Sequence, residues 1–163
     1  MKAMLTPTTT YLKSMRNIER VILHCSATRE GDDISADTIR TWHTSAPRNW
    51  SDIGYHYVVR LDGTIESGRP ITKPGAHVKG HNKDSIGICY IGGLDASGHP
   101  KNTLTREQRS SIWRLCRALV IALNQPLYLH GHCEYSSKAC PSFEVAEVFG
   151  SLQCWMACPD FGV

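Results

Sequence analysis

Two histidines and one cysteine stand in segments that could hold a metal ion together. His24 ends the apolar run 21–23, and His132 and Cys140 lie near each other toward the end of the sequence. Two imidazoles and one thiolate form a donor set suited to zinc. Because three protein ligands leave the fourth tetrahedral position for water, this set is typical of a catalytic zinc site rather than a structural one. The pattern therefore indicates hydrolytic chemistry.

The spacing leaves the choice of histidine in the second segment open. His130 and His132 alternate onto the same face of an extended strand, so either imidazole could reach the metal. Pro141 stiffens the chain after Cys140. Lys138, two residues before Cys140, would place a mobile cation beside the open position of the metal.

Tyr55, His77 and Trp42 are weaker candidates for the same site. Tyr55 follows a glycine-containing loop, where its ring could simply pack or its phenol could stand beside the metal water. His77 could line a substrate groove or be exposed, and Trp42 could be a groove or core aromatic. Asn82 and Ser85 could hold the backbone of the loop that carries His77.

Apolar runs and turn residues predict the strands that must position these side chains. Strands are expected over 20–25, 56–61, 64–66, 85–91 and 126–129. Asp62 and Gly63 predict a tight hairpin turn between the second and third of these strands. The segment 68–83 has no periodicity and is expected to be a long loop, which in compact domains is more often functional than not.

Three helices are expected between and after the strands. Ser35 can cap a short helix over 37–43. Thr105 and Gln108 form a capping-box signature for a longer helix with apolar residues at helical spacing, ended by Pro126. A last helix is expected to begin at Ser142.

The resulting order, β-α-β-β-β-α-β-α, predicts an α/β fold with a mixed central β-sheet flanked by helices. At 163 residues the chain is most simply a single domain. We expect a loose N-terminal arm over 1–17, a catalytic domain over 18–150 and a tail over 151–163.

Composition limits the expected partners and cellular location of the protein. A formal charge of +3 without Lys/Arg runs argues against a nucleic-acid partner. The sequence lacks both an apolar stretch near the ~20 residues of a membrane span and an apolar segment over 1–10 that would mark a secretory signal. We therefore expect a monomer that is cytoplasmic at synthesis.

Seven cysteines, an odd number, leave at least one thiol unpaired within the chain. Cys25, Cys89 and Cys116 lie in apolar surroundings and are expected to be buried. Cys154 and Cys158 could pair or stay reduced. A thiol that binds metal favours a reducing compartment for folding.

Eight short segments, in order along residues 18 to 150, match a known family: 24–28, 39–43, 54–57, 62–69, 75–77, 85–88, 91–93 and 138–143. Through them the chain resembles zinc-dependent N-acetylmuramoyl-L-alanine amidases, in particular the short phage-type endolysins, which share their fold with peptidoglycan recognition proteins. The resemblance implies zinc ligation by His24, His132 and Cys140, which favours His132 over His130. It also implies catalytic roles for the positions of Tyr55 and Lys138.

The same resemblance implies hydrolysis of the amide between N-acetylmuramic acid and L-alanine in peptidoglycan or a muropeptide. Zinc lowers the pKa of bound water to about 7, and Lys138 would stabilise the negative charge that develops on the carbonyl oxygen. An unperturbed phenol has a pKa of about 10, which favours an orienting role for Tyr55. The enzyme would act on the cell wall after release, or on imported muropeptides.

Two departures and two rival functions remain. Close relatives often carry a second histidine where this chain has Cys133, and the arm and tail have no counterpart in the family.

One rival function is a module that binds peptidoglycan without cutting it. Members of that kind lack the Cys ligand, so Cys140 favours an enzyme. The other is a structural zinc domain with Cys133 as fourth ligand.

Overall fold

The chain folds around a five-stranded mixed sheet. A computed structural model of the protein describes residues 16–150. Most of the predicted N-terminal arm and the whole predicted tail, with Cys154 and Cys158, lie outside the described residues. The strands are β1 (Arg20–Cys25), β2 (Thr28–Arg29), β3 (Tyr57–Val59), β4 (Ile65–Ser67), β5 (Ser85–Tyr90), β6 (Gly93–Leu94) and β7 (Tyr128–Gly131).

The strand order places β1 inside the sheet. The order is β4-β3-β5-β1-β7, with β4 antiparallel to β3 and the other neighbours parallel. β2 and β6 form a separate parallel pair, which was not predicted. β5 pairs with β1 along its whole length to Cys25, and β7 pairs with β1 as far as Leu23. The predicted mixed sheet is confirmed.

Three α-helices pack against the sheet: α1 (Ala36–Thr44), α2 (Arg106–Leu123) and α3 (Val145–Phe149). Ser35 caps α1 by accepting from the Thr38 N–H, and Thr105 and Gln108 form the predicted capping box of α2. Helix α2 ends before Pro126, because Asn124 takes a left-handed conformation with φ of 50°. Within residues 16–150, no helix combines the length and apolar character needed to cross a bilayer.

The two faces of the sheet bury different kinds of side chain. Alternate residues of β1, β5 and β7 form the main core against α2 and α3, and Val21, Leu23 and Ile88 are typical members. The opposite face has a smaller apolar cluster under α1. His24 lies on that second face, since its neighbours Leu23 and Cys25 point into the main core. One face of the sheet therefore carries the larger apolar core, and the other carries His24 beside the smaller apolar cluster.

The last helix does not begin at Ser142, and that prediction is wrong. Helix α3 begins at Val145, while Ser142 has φ of 73° and its N–H donates to the Ala139 carbonyl at 2.5 Å. The spacing of Phe143 and Phe149 suggested one continuous helix. Phe143 instead packs against the main core from a turn.

Strand ends also differ from the predictions by a few residues. The strand expected over 56–61 spans Tyr57–Val59, and the one expected over 126–129 spans Tyr128–Gly131. A 3-10 turn, His132–Glu134, follows β7 directly and was not predicted. Cys25, Cys89 and Cys116 are buried as expected.

The predicted long loop over 68–83 is confirmed and is fixed by two arginines. Arg69 donates to the carbonyls of Ile53 and Pro74, both at 2.9 Å. Arg16, within the predicted arm, donates to the carbonyls of Ile71 at 2.7 Å and Asn82 at 2.9 Å. The described chain is therefore anchored from residue 16 onward.

Candidate metal centre and active site

Three predicted ligands meet at the carboxyl end of β1. His24 is the buried penultimate residue of β1, His132 opens the 3-10 turn after β7, and Cys140 follows in the next loop. Their candidate ligand atoms all lie within 4.8 Å of one another. His24 Nδ1 is 3.7 Å from Cys140 Sγ. Ligand atoms of a tetrahedral zinc ion with bonds of about 2.0–2.3 Å lie roughly 3.3–3.8 Å apart. The donor set and the separation of His24 Nδ1 from Cys140 Sγ therefore fit zinc, while 4.8 Å, the upper limit for the three ligand atoms, is wider than that range.

The structure separates His132 from His130. The His130 Nδ1 lies 2.6 Å from Glu134 Oε2, and its ring packs against Tyr135 with centroids 5.5 Å apart. His132 instead lies 4.6 Å from the His24 ring, measured between centroids. The strand alternation that made both histidines candidates stops at Gly131, because the backbone enters a 3-10 helix at His132.

His24 is the most buried of the three residues, at 1% exposure. Its Nε2 lies 3.0 Å from Nδ1 of His77, which leaves Nδ1 of His24 on the side of Cys140. Burial, followed by the neighbouring His77, lowers the pKa of His24 well below its ordinary value. His24 is therefore a neutral imidazole, the form that binds metal.

Backbone donors surround Cys140. The Cys25 N–H points at Cys140 Sγ at 3.3 Å, and the Cys133 N–H donates to the Cys140 carbonyl at 2.6 Å. A hydrogen bond with the Cys25 side chain, followed by burial, raises the pKa of the Cys140 thiol. A coordinating divalent cation deprotonates such a thiol.

Within residues 16–150, the group of possible metal ligands holds only His24, His132 and Cys140. Cys133, the candidate fourth ligand of a structural site, is not part of it. Because the 3-10 turn begins at His132, Cys133 and His132 lie on successive positions of a tight turn. Residues 16–150 thus bring together three candidate ligands, and Cys133 is not a fourth.

Lys138 is exposed on the same loop. Its positive charge contributes to lowering the pKa of both His24 and His132, in each case after burial. The charge of Lys138 therefore acts on both imidazoles of the candidate site.

Tyr55 stands on the other side of His24. The two ring centroids are 5.1 Å apart. Burial, followed by the nearby thiols of Cys89 and Cys140, raises the pKa of the phenol well above its ordinary value. The Tyr55 phenol is therefore held in its protonated form.

Comparison with known proteins identifies the family. The family described as N-acetylmuramoyl-L-alanine amidase matches residues 14–143. The chain belongs to this amidase family.

Individual relatives agree with this. The amidase is 39% identical over 126 residues to the endolysin of Klebsiella phage KP32, covering 77% of this chain and 82% of that protein. The solved N-acetylmuramoyl-L-alanine amidase LysC from Clostridium intestinale URNW has a TM-score of 0.68 and 29% identity, over 82% of this chain and 83% of that one. Peptidoglycan recognition protein-LE, solved with tracheal cytotoxin, has a TM-score of 0.66 and 25% identity, over 77% and 75%. The family and the fold expected from the sequence are confirmed.

Sequence reasoning missed two buried histidines that support the amidase site. His43 Nδ1 accepts from the Gly54 N–H at 2.9 Å, and the Trp50 ring packs on His43 with centroids 4.7 Å apart. His56 Nδ1 accepts from the Gly87 N–H at 2.9 Å. Burial lowers the pKa of both imidazoles to about 4. The spacing of Ala36, Ile39 and His43 on α1 was the available signal, because it places His43 on the buried face.

The two proposed groove residues have different surroundings. His77 is buried at 9% exposure, which excludes the exposed alternative, while Trp42 is 41% exposed on α1. Asn82 Oδ1 accepts from the N–H groups of His77 and Val78, so it holds the loop backbone as predicted. Contact of His77 or Trp42 with substrate stays a prediction.

Proposed function

We propose that this amidase is a zinc-dependent hydrolase that cleaves the amide between N-acetylmuramic acid and L-alanine in bacterial peptidoglycan. The observation that carries the proposal is the cluster of His24, His132 and Cys140, with ligand atoms within 4.8 Å of one another. Three ligands leave room for substrate or water at a tetrahedral ion. Family membership supports the reaction type.

His24, His132 and Cys140 would hold the ion. When bound, zinc supplies Lewis acidity at the scissile carbonyl and to water. Burial keeps His24 neutral, the form that binds metal, and its Nδ1 faces Cys140. The Cys25 N–H offsets part of the negative charge on the Cys140 sulfur.

Lys138 and Tyr55 act on the substrate. The Lys138 ammonium lies close enough to His132 to lower its pKa, so it can stabilise negative charge on the oxygen of the attacked carbonyl. Tyr55 keeps its proton, because burial raises its pKa. It therefore donates a hydrogen bond and orients the reacting groups, and does not remove a proton.

Peptidoglycan or a muropeptide is the proposed partner. Peptidoglycan recognition protein-LE is solved with monomeric diaminopimelic acid-type peptidoglycan, and it shares the fold of this chain. The endolysin of Klebsiella phage KP32 supports a role in wall lysis. We propose that the protein acts as a monomer on the cell wall after release from the cytoplasm, or on imported muropeptides.

The test is digestion of purified sacculi with mass spectrometry of the products, with and without a metal chelator. The expected products are stem peptides with a free L-alanine amine and glycan chains with free lactyl carboxylates, both absent when the chelator is present. Zinc added back should restore release. Binding to sacculi without release of peptide would overturn the proposal in favour of a binding module. Release of peptide in the presence of the chelator would show that hydrolysis does not require zinc.

A further inference from the structure

A chain of hydrogen bonds runs from the proposed metal site to the loop before β5. We propose that His77 is a positioning residue that, with Ser85, fixes the proton of His24 on Nε2. Nδ1 of His24 is then left as a lone-pair donor on the side of His132 and Cys140. The inference rests on the proposed function only in taking this cluster as a zinc site.

The direction of the chain is set at its outer end. Ser85 Oγ lies 2.5 Å from the His81 carbonyl oxygen, and because a carbonyl only accepts, the hydroxyl donates its proton there. Ser85 Oγ is also 3.2 Å from His77 Nε2. With its proton committed to His81, the hydroxyl accepts from His77 Nε2–H.

The same logic passes to His24. A neutral imidazole that carries its proton on Nε2 has a lone pair on Nδ1. His77 Nδ1 lies 3.0 Å from His24 Nε2, so His24 must donate from Nε2. His77 is buried, and its two ring partners, Ser85 and His24, are not carboxylates, so the neutral form is the one this site holds. His24 Nδ1 is then unprotonated.

The His77 ring packs closely against the backbone of Gly75 and Gly87. A Cβ placed on Gly87 would lie 2.7 Å from ring carbon atoms of His77, and one on Gly75 would lie 2.5 Å from its Cδ2. The loop backbone at His77 is held by Asn82 Oδ1, which accepts the His77 N–H at 2.8 Å. The two glycines and Asn82 therefore keep the His77 ring closely packed beside His24.

This arrangement gives His77 a specific effect on metal binding. A histidine that binds metal through one ring nitrogen usually donates the other N–H to an outer partner, and loss of that partner typically costs about 10- to 100-fold in metal affinity. Here the partner is an imidazole, whose acceptor role depends in turn on Ser85.

The first test is spectroscopic and needs no variant. In nitrogen-15 NMR of the imidazole rings, the metal-free protein should show His24 and His77 both protonated on Nε2. Zinc should then shift the Nδ1 resonance of His24 and leave its Nε2 protonated. A proton on His24 Nδ1 in the metal-free protein would overturn the proposal.

The second test measures zinc affinity by competition with a chromophoric chelator. His77→Phe keeps a ring but no acceptor and should weaken zinc binding about 10- to 100-fold. His77→Asn can place Oδ1 near the former Nδ1 and should recover most of the affinity. Ser85→Ala, a smaller change, should weaken binding several-fold and mix the His24 tautomers. His99→Asn is the matched control, since His99 is 78% exposed and contacts Asp95 rather than His24 or His77.

The outcomes separate this proposal from the proposed function. Equal zinc affinity for folded His77→Phe and the parent would overturn the positioning role, even if the parent cleaves muropeptide. Weakened zinc binding with the predicted tautomers would uphold the role, even if the parent cleaved nothing. Should His77→Phe fail to fold, Ser85→Ala and the NMR of the unmodified protein still decide the question.

Discussion

The two halves of the proposed metal site are built differently. The strand half is His24, which lies on an interior strand at 1% exposure and touches His77 on the side away from Cys140. The loop half comprises His132, Lys138 and Cys140, which lie on a 3-10 turn and the following loop, half-buried or exposed. Individual hydrogen bonds hold the loop half in place, such as the one that the Tyr90 hydroxyl donates to the Pro141 carbonyl at 2.7 Å.

This difference assigns separate tasks to the two halves. A ligand within the sheet core has its orientation fixed by packing and hydrogen bonds before any ion binds. Groups that must meet a large polymer have to lie near solvent, and loops on a rigid scaffold provide that. We therefore expect changes in the strand half to affect both stability and metal binding, and changes in the loop half to affect metal binding or turnover with a smaller loss of stability.

Removal of the thiolate from the loop half should have the largest effect. Cys140→Ala is expected to abolish zinc retention and hydrolysis together, because two imidazoles alone are an incomplete ligand set. Bound zinc per chain and peptide release from sacculi measure the two effects. Thermal unfolding of the metal-free forms is the control and should be nearly unchanged. Full activity of the variant would contradict the ligand assignment.

Lys138→Ala should keep zinc and lose turnover. Removal of one preorganised positive group near a developing oxyanion typically costs ~10²–10³ in rate. The measurement is the initial rate of muropeptide hydrolysis at equal zinc content. Lys138→Arg, which keeps the charge, is the matched variant and should retain more activity. Hydrolysis by Lys138→Ala at the parental rate would remove Lys138 from the mechanism.

A direct comparison of the halves uses the two histidine ligands. His24→Ala should lower the free energy of unfolding of the metal-free protein by about 1–3 kcal/mol, because His77 loses its partner in a buried site. His132→Ala should cost less, since His132 is half-buried. Urea unfolding in the presence of a chelator measures both. Equal losses of stability would show that the strand half is not the more rigid one.

Acid should lower the stability of the folded protein through the buried imidazoles of His43 and His56. Burial lowers the pKa of each to about 4 in the folded state, below the ordinary value of about 6.5. Protons therefore bind the unfolded chain first, and stability is lost as pH falls from about 6.5 to about 4. The expected loss is at most about 3 kcal/mol for each imidazole. His43→Asn, which keeps an acceptor for the Gly54 N–H, should reduce the slope of unfolding free energy against pH. An unchanged slope would contradict the account.

Cys133→Ser should have the smallest effect. Cys133 lies outside the ligand group, and it contributes its backbone N–H, not its thiol, to the Cys140 carbonyl. Zinc content and hydrolysis rate should stay within about twofold of the parent, a change below roughly 0.4 kcal/mol. Loss of zinc in this variant would instead favour a structural site with four ligands.

Much of the fold followed from local pattern. The six-residue run of β1 and the capping box of α2 are statements about neighbours in sequence, and both were found where expected. The start of the last helix was not, because Phe143 has helical spacing but packs from a turn. Local pattern cannot distinguish these cases when packing decides the conformation.

Residue types and their order determined the chemistry of this protein: two imidazoles, a thiol and a nearby lysine, in the sequence context of an amidase family. The family resemblance already favoured His132 over His130, and the tertiary structure placed the His132 ring beside His24. Only the tertiary structure showed that the buried His77 lies within hydrogen-bond distance of His24. The physical reason is distance along the chain. His24, His77 and Cys140 are brought together by the pairing of β1 with β5 and β7, and no spacing within one segment encodes that contact.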